Sequence, residues 1–177
     1  MSFVLGIDPS LNGTGVAFRL SDNSIQTLRI SPGTRRGMER IGYISDVVAG
    51  LLDTYQPGLV VYEDYAFGYR GKSNTIFTLG ELGGVLKLLL LRAGIDILLV
   101  PPSSLKVFAT GSGSAGKQDV GLALKQYIGV SFKTDDQNDA AWLLLLGEAS
   151  TDLRLLPRDR SHYKRRAVAG CTKVSGF

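Results

Sequence analysis

Val4-Leu5-Gly6-Ile7-Asp8-Pro9-Ser10-Leu11-Asn12-Gly13-Thr14-Gly15 is an apolar run that closes on an aspartate and then turns. Residues 2–8 have the composition of a buried strand, and Asn12-Gly13 is a turn signal. Val16-Ala17-Phe18 and Thr27-Leu28-Arg29-Ile30 suggest two further strands, so the chain opens with a three-stranded meander. From Arg35 to Tyr55, Met38, Ile41, Ile44, Val48, Leu51 and Leu52 recur at helical spacing. Gln56-Pro57-Gly58 stops that helix, because proline disfavours helical geometry in the residue before it.

Leu59–Glu63 is a fourth strand, followed by a loop at 64–72 rich in aromatic and basic residues. A long helix is expected over 73–92, with Gly80, Gly83 and Gly84 offering close approach to another backbone. Gly94 ends it, and Ile95–Val100 gives strand five. Pro101-Pro102 leads into a short helical piece at 103–108 and a Gly/Ser loop at 110–116. Helices follow at about 117–128 and from Asp136 to about Glu148. Three strands and then helices alternating with strands predict an α/β domain: a mixed five-stranded sheet with helices on both faces. The domain is expected to span 1–150, with 151–177 as a basic C-terminal tail.

At 177 residues the chain suits one domain with a substantial core. The 44% hydrophobic and 20% charged content is that of a globular protein. No apolar stretch reaches the roughly 18 residues of a membrane span, and Lys87 and Arg92 interrupt the longest one. A signal peptide is not expected, because Asp8 arrives too early. The single cysteine, Cys171, cannot form an internal disulfide or a cysteine-based zinc site, which favours a reducing cytoplasm. Residues 151–177 carry seven Lys or Arg against two Asp, whereas the whole chain is only +4. Such a segment suits a polyanion, or else is a solvated terminus.

Four carboxylates carry the chemistry. Asp8 and Glu63 each close an apolar strand, and Asp136 and Asp139 open a helix three residues apart, so both can point the same way. Acids gathered at one sheet end repel one another, and cations relieve that repulsion. The expected chemistry is Mg²⁺ or Mn²⁺ on oxygen ligands, cutting or transferring phosphate esters. Asp135 and Asp64 are adjacent extra carboxylates. Tyr65, Phe67, Arg70 and Lys72 beside Glu63 suit splayed bases and phosphates. Gly111-Ser112-Gly113-Ser114-Ala115-Gly116-Lys117 nearly spells a nucleotide-binding P-loop, but Gln118 replaces the hydroxyl residue and no strand leads directly into it. A nucleotide cofactor is therefore not expected, although the same amides and Lys117 can hold a DNA phosphate. His162, the single histidine, excludes a histidine-rich zinc site.

Taken in order, these stretches resemble the RuvC-type Holliday junction resolvases of the RNase H-like superfamily. Gly6-Ile7-Asp8-Pro9 with Thr14-Gly15, Glu63, and Asp136-x-x-Asp139-Ala140 carry the resemblance, together with Lys106 and Gly111-x-Gly113-x-Ala115-x-Lys117. The resemblance implies an RNase H-like fold and a homodimer that nicks four-way DNA symmetrically in a bacterial or phage-infected cytoplasm, with other branched DNA as a further substrate class. It implies two Mg²⁺ or Mn²⁺ ions per site on Asp8, Glu63, Asp136 and Asp139. Lys117 would assist at the scissile phosphate, and Lys106, Ser112 and Ser114 would contact DNA. Phe67, or else Tyr65, would stack at the junction centre. Ser10 in place of a usual glycine, the extra Asp64 and the long basic tail mark a divergent, phage-like pattern. Helix 73–92 is the expected dimer face. RNase H-like cutting of hybrids and a catalytically silent junction-binding protein are the alternatives.

Overall fold

The structure, a computed structural model, describes residues 3–65, 73–152, 154 and 161–176. Strands β1 (Val4–Asp8), β2 (Thr14–Arg19) and β3 (Ile25–Ile30) form the antiparallel meander. Helix α1 (Gly37–Tyr55) crosses over to β4 (Leu59–Glu63), which lies parallel to β1. Helix α2 (Ser73–Arg92) then leads to β5 (Asp96–Val100), parallel to β4. Next come α3 (Pro102–Thr110), α4 (Lys117–Ile128), α5 (Asp135–Thr151), α6 (Ser161–Ala169) and β6 (Thr172–Val174).

The sheet order is β3-β2-β1-β4-β5-β6, six strands rather than the five expected from sequence. The extra strand comes from the segment taken as a basic tail. Thr172–Val174 pairs antiparallel with β5, yet three residues are too short a run for alternation to reveal. Helix α6 packs against α3, so part of that segment folds onto the domain. Lys164 is fully buried there, its Nζ donating to the Phe108 carbonyl at 2.6 Å. It stands 4.0–5.7 Å from the ring centroids of Phe108, Tyr127, Trp142 and Tyr163.

Strand period two sorts the side chains between the two faces. Leu5, Ile7, Val60 and Tyr62 point to the face covered by α1 and α2, where Ile41, Ile44, Val48, Leu82, Leu86 and Leu90 meet them. Val4, Ala17 and Val61 point to the other face, where α5 lies. Helix α5 is apolar almost all round and sits between the sheet and the α3–α4 layer. Thr134 caps its start, its hydroxyl accepting from the Gln137 amide at 3.4 Å.

Glycines set how low α5 lies on the sheet. A Cβ on Gly6 would overlap the Ala140 carbonyl oxygen and come 2.7 Å from the Leu144 nitrogen. A Cβ on Gly15 would overlap the Asp136 carbonyl oxygen. The helix backbone occupies the space of the missing side chains, and its acidic first turn is thereby pressed against the ends of β1 and β2.

Candidate active site

Register and alternation bring the first two carboxylates together. Ile7 pairs with Tyr62 in the parallel β1–β4 ladder, so Asp8 and Glu63 are the next pair, on the α5 face. Asp8 is also paired across β2 with Gly15, which carries the first turn of α5. The turn after Asp8 is closed by Thr14, whose hydroxyl donates to the Ser10 carbonyl at 2.9 Å and accepts from its amide at 3.2 Å.

All four expected acids interact. Asp8 is 8% exposed, and burial lifts its pKa well above the ordinary carboxylate range. The charge of Glu63, a hydrogen bond to Glu63, and the charges of Asp139 and Asp136 raise it further. Glu63 is raised by burial, against lowering by the hydrogen bond from Asp8 and the charges of Lys106 and Lys117. The hydrogen bond between the two carboxyls raises Asp8 and lowers Glu63, as it does when Asp8 is the donor. Asp139 is pushed up to about 7, chiefly by burial, with Glu63, Asp135 and Asp136 adding and Lys117 opposing.

The flanking acids are neutralised locally. Asp64 accepts from Lys87 on α2 at 2.6 Å and so faces away from the cluster. Asp135 pairs with Lys117 at 3.2 Å. Asp136 accepts from Arg29 on β3 at 3.0 Å. Nothing in the sequence singles out Arg29; the contact spans 107 residues and depends on the β2–β3 register. Lys117 opens α4 beside the cluster, and nearby Asp135, Asp139 and Asp136 hold its pKa up. Lys106, on α3, also lowers Glu63 by its charge.

Residues 111–116 link α3 to α4, so the P-loop-like string lacks the strand-to-helix setting of a nucleotide site. The Ser112 and Ser114 hydroxyls bond each other at 3.1 Å, and Asp119 accepts from the Gly116 amide at 3.0 Å. Tyr65 donates to the Gly80 carbonyl at 3.1 Å, with the Lys87 ammonium 4.3 Å from its ring centroid. A largely apolar cavity of about 540 Å³ adjoins Glu63, lined by Pro9, Tyr65, Ile76, Leu79 and Pro102 among others. Phe67, Arg70 and Lys72 lie outside the described residues.

The donor set suits a hard divalent cation: four carboxylates, with Asp8 and Asp139 raised by burial and by the charge of their neighbours. Among the described residues, however, no three such side chains form a preformed metal cluster. The arrangement is that of carboxyls facing one another, with Arg29 on Asp136.

Comparison with known proteins identifies the family. The family model described as crossover junction endodeoxyribonuclease RuvC matches residues 4–145. The RuvC of Mycobacterium leprae is 28% identical over 148 residues, covering 80% of this chain and 78% of its own. That of Caldicellulosiruptor saccharolyticus is 30% identical over 146 residues, covering 77% and 86%. Thermus thermophilus RuvC in complex with Holliday junction substrate superposes with a TM-score of 0.70 at 19% identity, covering 98% of this chain and all of that one. The yeast mitochondrial Holliday junction resolvase gives 0.54 at 19% identity, covering 94% and 83%. The chain belongs to the RuvC family of crossover junction endodeoxyribonucleases.

Proposed function

We propose that this chain resolves four-way DNA junctions by paired nicking, using divalent-metal-dependent hydrolysis at Asp8, Glu63, Asp136 and Asp139. The observation that carries this reading is geometric: Asp8 and Glu63 end the adjacent parallel strands β1 and β4, and the first turn of α5, bearing Asp136 and Asp139, is seated on Gly15, the β2 partner of Asp8. The chemistry supplied by two Mg²⁺ or Mn²⁺ ions, when bound, is activation of water and neutralisation of charge developing in an in-line displacement. The carboxylates would hold the ions. Lys117 is 73% exposed in its pair with Asp135, and such surface pairs contribute about 1 kcal/mol or less. It can therefore exchange Asp135 for a phosphate oxygen at little cost. Lys106, Ser112 and Ser114 supply further contacts on the same rim, and Tyr65 with the adjoining apolar cavity offers a place for an unstacked base.

Symmetric nicking needs two copies. On α2, Phe77 is 70% exposed, and Ile76 and Leu88 are also open. A Cβ on Gly80 or Gly84 would meet nothing within 4 Å, so a second backbone can approach there. Gly83 differs: the Tyr65 hydroxyl already fills its space. No helix among the described residues is long and apolar enough to cross a membrane.

The test compares nicking of a mobile four-way junction, a three-way junction, a linear duplex and an RNA–DNA hybrid in Mg²⁺ and in EDTA. Fastest cutting of the four-way junction, abolished by EDTA and by Asp8→Asn, is expected. A hybrid cut faster than the junction would favour RNase H-like action. Junction binding without any cutting would favour a silent binding protein. A monomer on the junction would overturn paired nicking.

A further inference from the structure

Arg29 stands outside the set of residues just assigned, yet its guanidinium joins three segments at the site. Nε donates to Asp136 Oδ2 at 3.0 Å, Nη2 donates to the Asn12 carbonyl at 3.1 Å, and Nη1 reaches Ser31 Oγ at 3.5 Å. The position is built for this side chain. Arg29 is paired with Gly15 in the β2–β3 ladder, and that bare residue lets the first turn of α5 descend within reach. Gly13 is bare for the same reason, since a Cβ there would overlap the guanidinium nitrogens and Cζ.

We propose that Arg29 is a positioning residue for Asp136: it anchors one carboxylate oxygen to the β1–β2 turn and leaves the other for the divalent ion. The inference rests on the metal-dependent reading above. A fork of donors suits the task, because one branch can grip the ligand while another grips the turn. Lysine, a single point charge, cannot hold both. Outer-shell hydrogen bonds of this kind typically set metal affinity by about 10–100-fold. Charge alone predicts the opposite sign. A cation beside a ligand repels an incoming metal ion, so removing it would tighten metal binding if Arg29 were merely a counter-ion.

Three variants separate these cases: Arg29→Gln removes charge and fork, Arg29→Lys keeps the charge, and Gly13→Ala keeps both while displacing the guanidinium. Mn²⁺ binding to the full chain without DNA is measured by titration calorimetry, beside thermal melting and the Mg²⁺ dependence of junction nicking. Both Arg29→Gln and Gly13→Ala are expected to weaken Mn²⁺ binding by about 10–100-fold, with Arg29→Lys between them and the wild type. Because the pair is part-exposed, melting should shift little, and nicking should largely recover at saturating Mg²⁺. Unchanged or tighter Mn²⁺ binding in Arg29→Gln would overturn the proposal, as would Gly13→Ala binding like wild type. If the wild-type chain bound no Mn²⁺, the metal-dependent reading itself would fall and this inference with it. Should Arg29→Gln fail to fold, Arg29→Lys and Gly13→Ala still decide the matter.

Discussion

The Gly15→Ala variant tests the placement of helix α5 and its proposed catalytic acids most directly. Gly15 has no positive φ, so an alanine costs nothing in backbone conformation there. The whole effect must come from packing. A Cβ at this position overlaps the Asp136 carbonyl oxygen and lies 2.5 Å from the carbonyl carbon, while the Ala140 methyl is at 3.3 Å. The first two are backbone atoms, so no rotamer change relieves the contact. The helix cannot slide away as a unit either, because Gly6 seats it at Ala140 and Leu144 and Gly147 seats it against Val61 and Val4. Its first turn must lift by about 1 Å, at an overpacking cost of about 1–3 kcal/mol. For a chain of this size each kcal/mol moves the melting temperature by about 2–4 °C. Displacing Asp136 and Asp139 by about 1 Å is expected to slow single-turnover junction nicking by about 100-fold. Junction binding, proposed to run through Lys106 and Lys117, should survive. Gly50→Ala is the control: it lies in α1 with nothing within 4 Å of its Cβ, and alanine there should stabilise by about 0.5–1 kcal/mol. Wild-type melting and nicking in Gly15→Ala would refute the seating of α5 described here.

Three further outcomes are expected. Asp139 has a raised pKa of about 7, so the folded chain binds more protons than the unfolded one between about pH 4 and 7. Metal-free stability should therefore fall as pH rises through that window. Melting in EDTA at pH 5 and pH 8 checks the sign, and Asp139→Asn should flatten the slope. Tyr62 buries a hydroxyl with no hydrogen-bond partner among the described residues, so Tyr62→Phe should stabilise by about 1 kcal/mol; a lower melting temperature would reveal a bridging water or another partner. Lys164→Ala removes a fully buried side chain packed among four rings and should cost about 3 kcal/mol or more. Lys164→Met, which keeps most of the volume, should cost less than half as much in denaturant melts, and equal losses would show that the nitrogen rather than the packing matters.

The elements were legible because they are local. Leu59–Glu63 is an apolar run ending at a turn, and Ile41, Ile44, Val48 and Leu52 mark one face of α1. The four acids were legible because each closes or opens such an element. The pairings that make them a site were not. Asp8 meets Glu63 only because β1 and β4 are parallel in one particular register, and a one-residue slip would turn Glu63 to the other face. The Arg29–Asp136 contact, the burial of Lys164 and the pairing of β6 all depend on partners far away in the chain. Lys164 was the hardest to find. It stands in a run of basic residues whose composition predicts solvent exposure, yet its helical position turns it inward while Arg165 and Arg166 stay outside.

The seat of α5 also explains how the chain tolerates four repelling acids. Like charges in a buried cluster destabilise a fold, and proteins break local rules of this kind mainly where function requires it. Here the apolar contacts of α5 do the holding. Ala140, Ala141, Leu143, Leu144 and Leu146 are fully buried, and the Trp142 indole donates to the Val120 carbonyl at 3.1 Å, tying α5 to α4. Each fully buried leucine contributes about 1.5–3 kcal/mol, so the helix body outweighs repulsion confined to its first turn. The acids can therefore stay close without metal, held by the Asp8–Glu63 hydrogen bond, Arg29 and Lys117. Binding of divalent ions would then displace protons and Lys117 by side-chain movement, with Arg29 still on Asp136, while the helix stays where Gly6, Gly15 and Gly147 have put it.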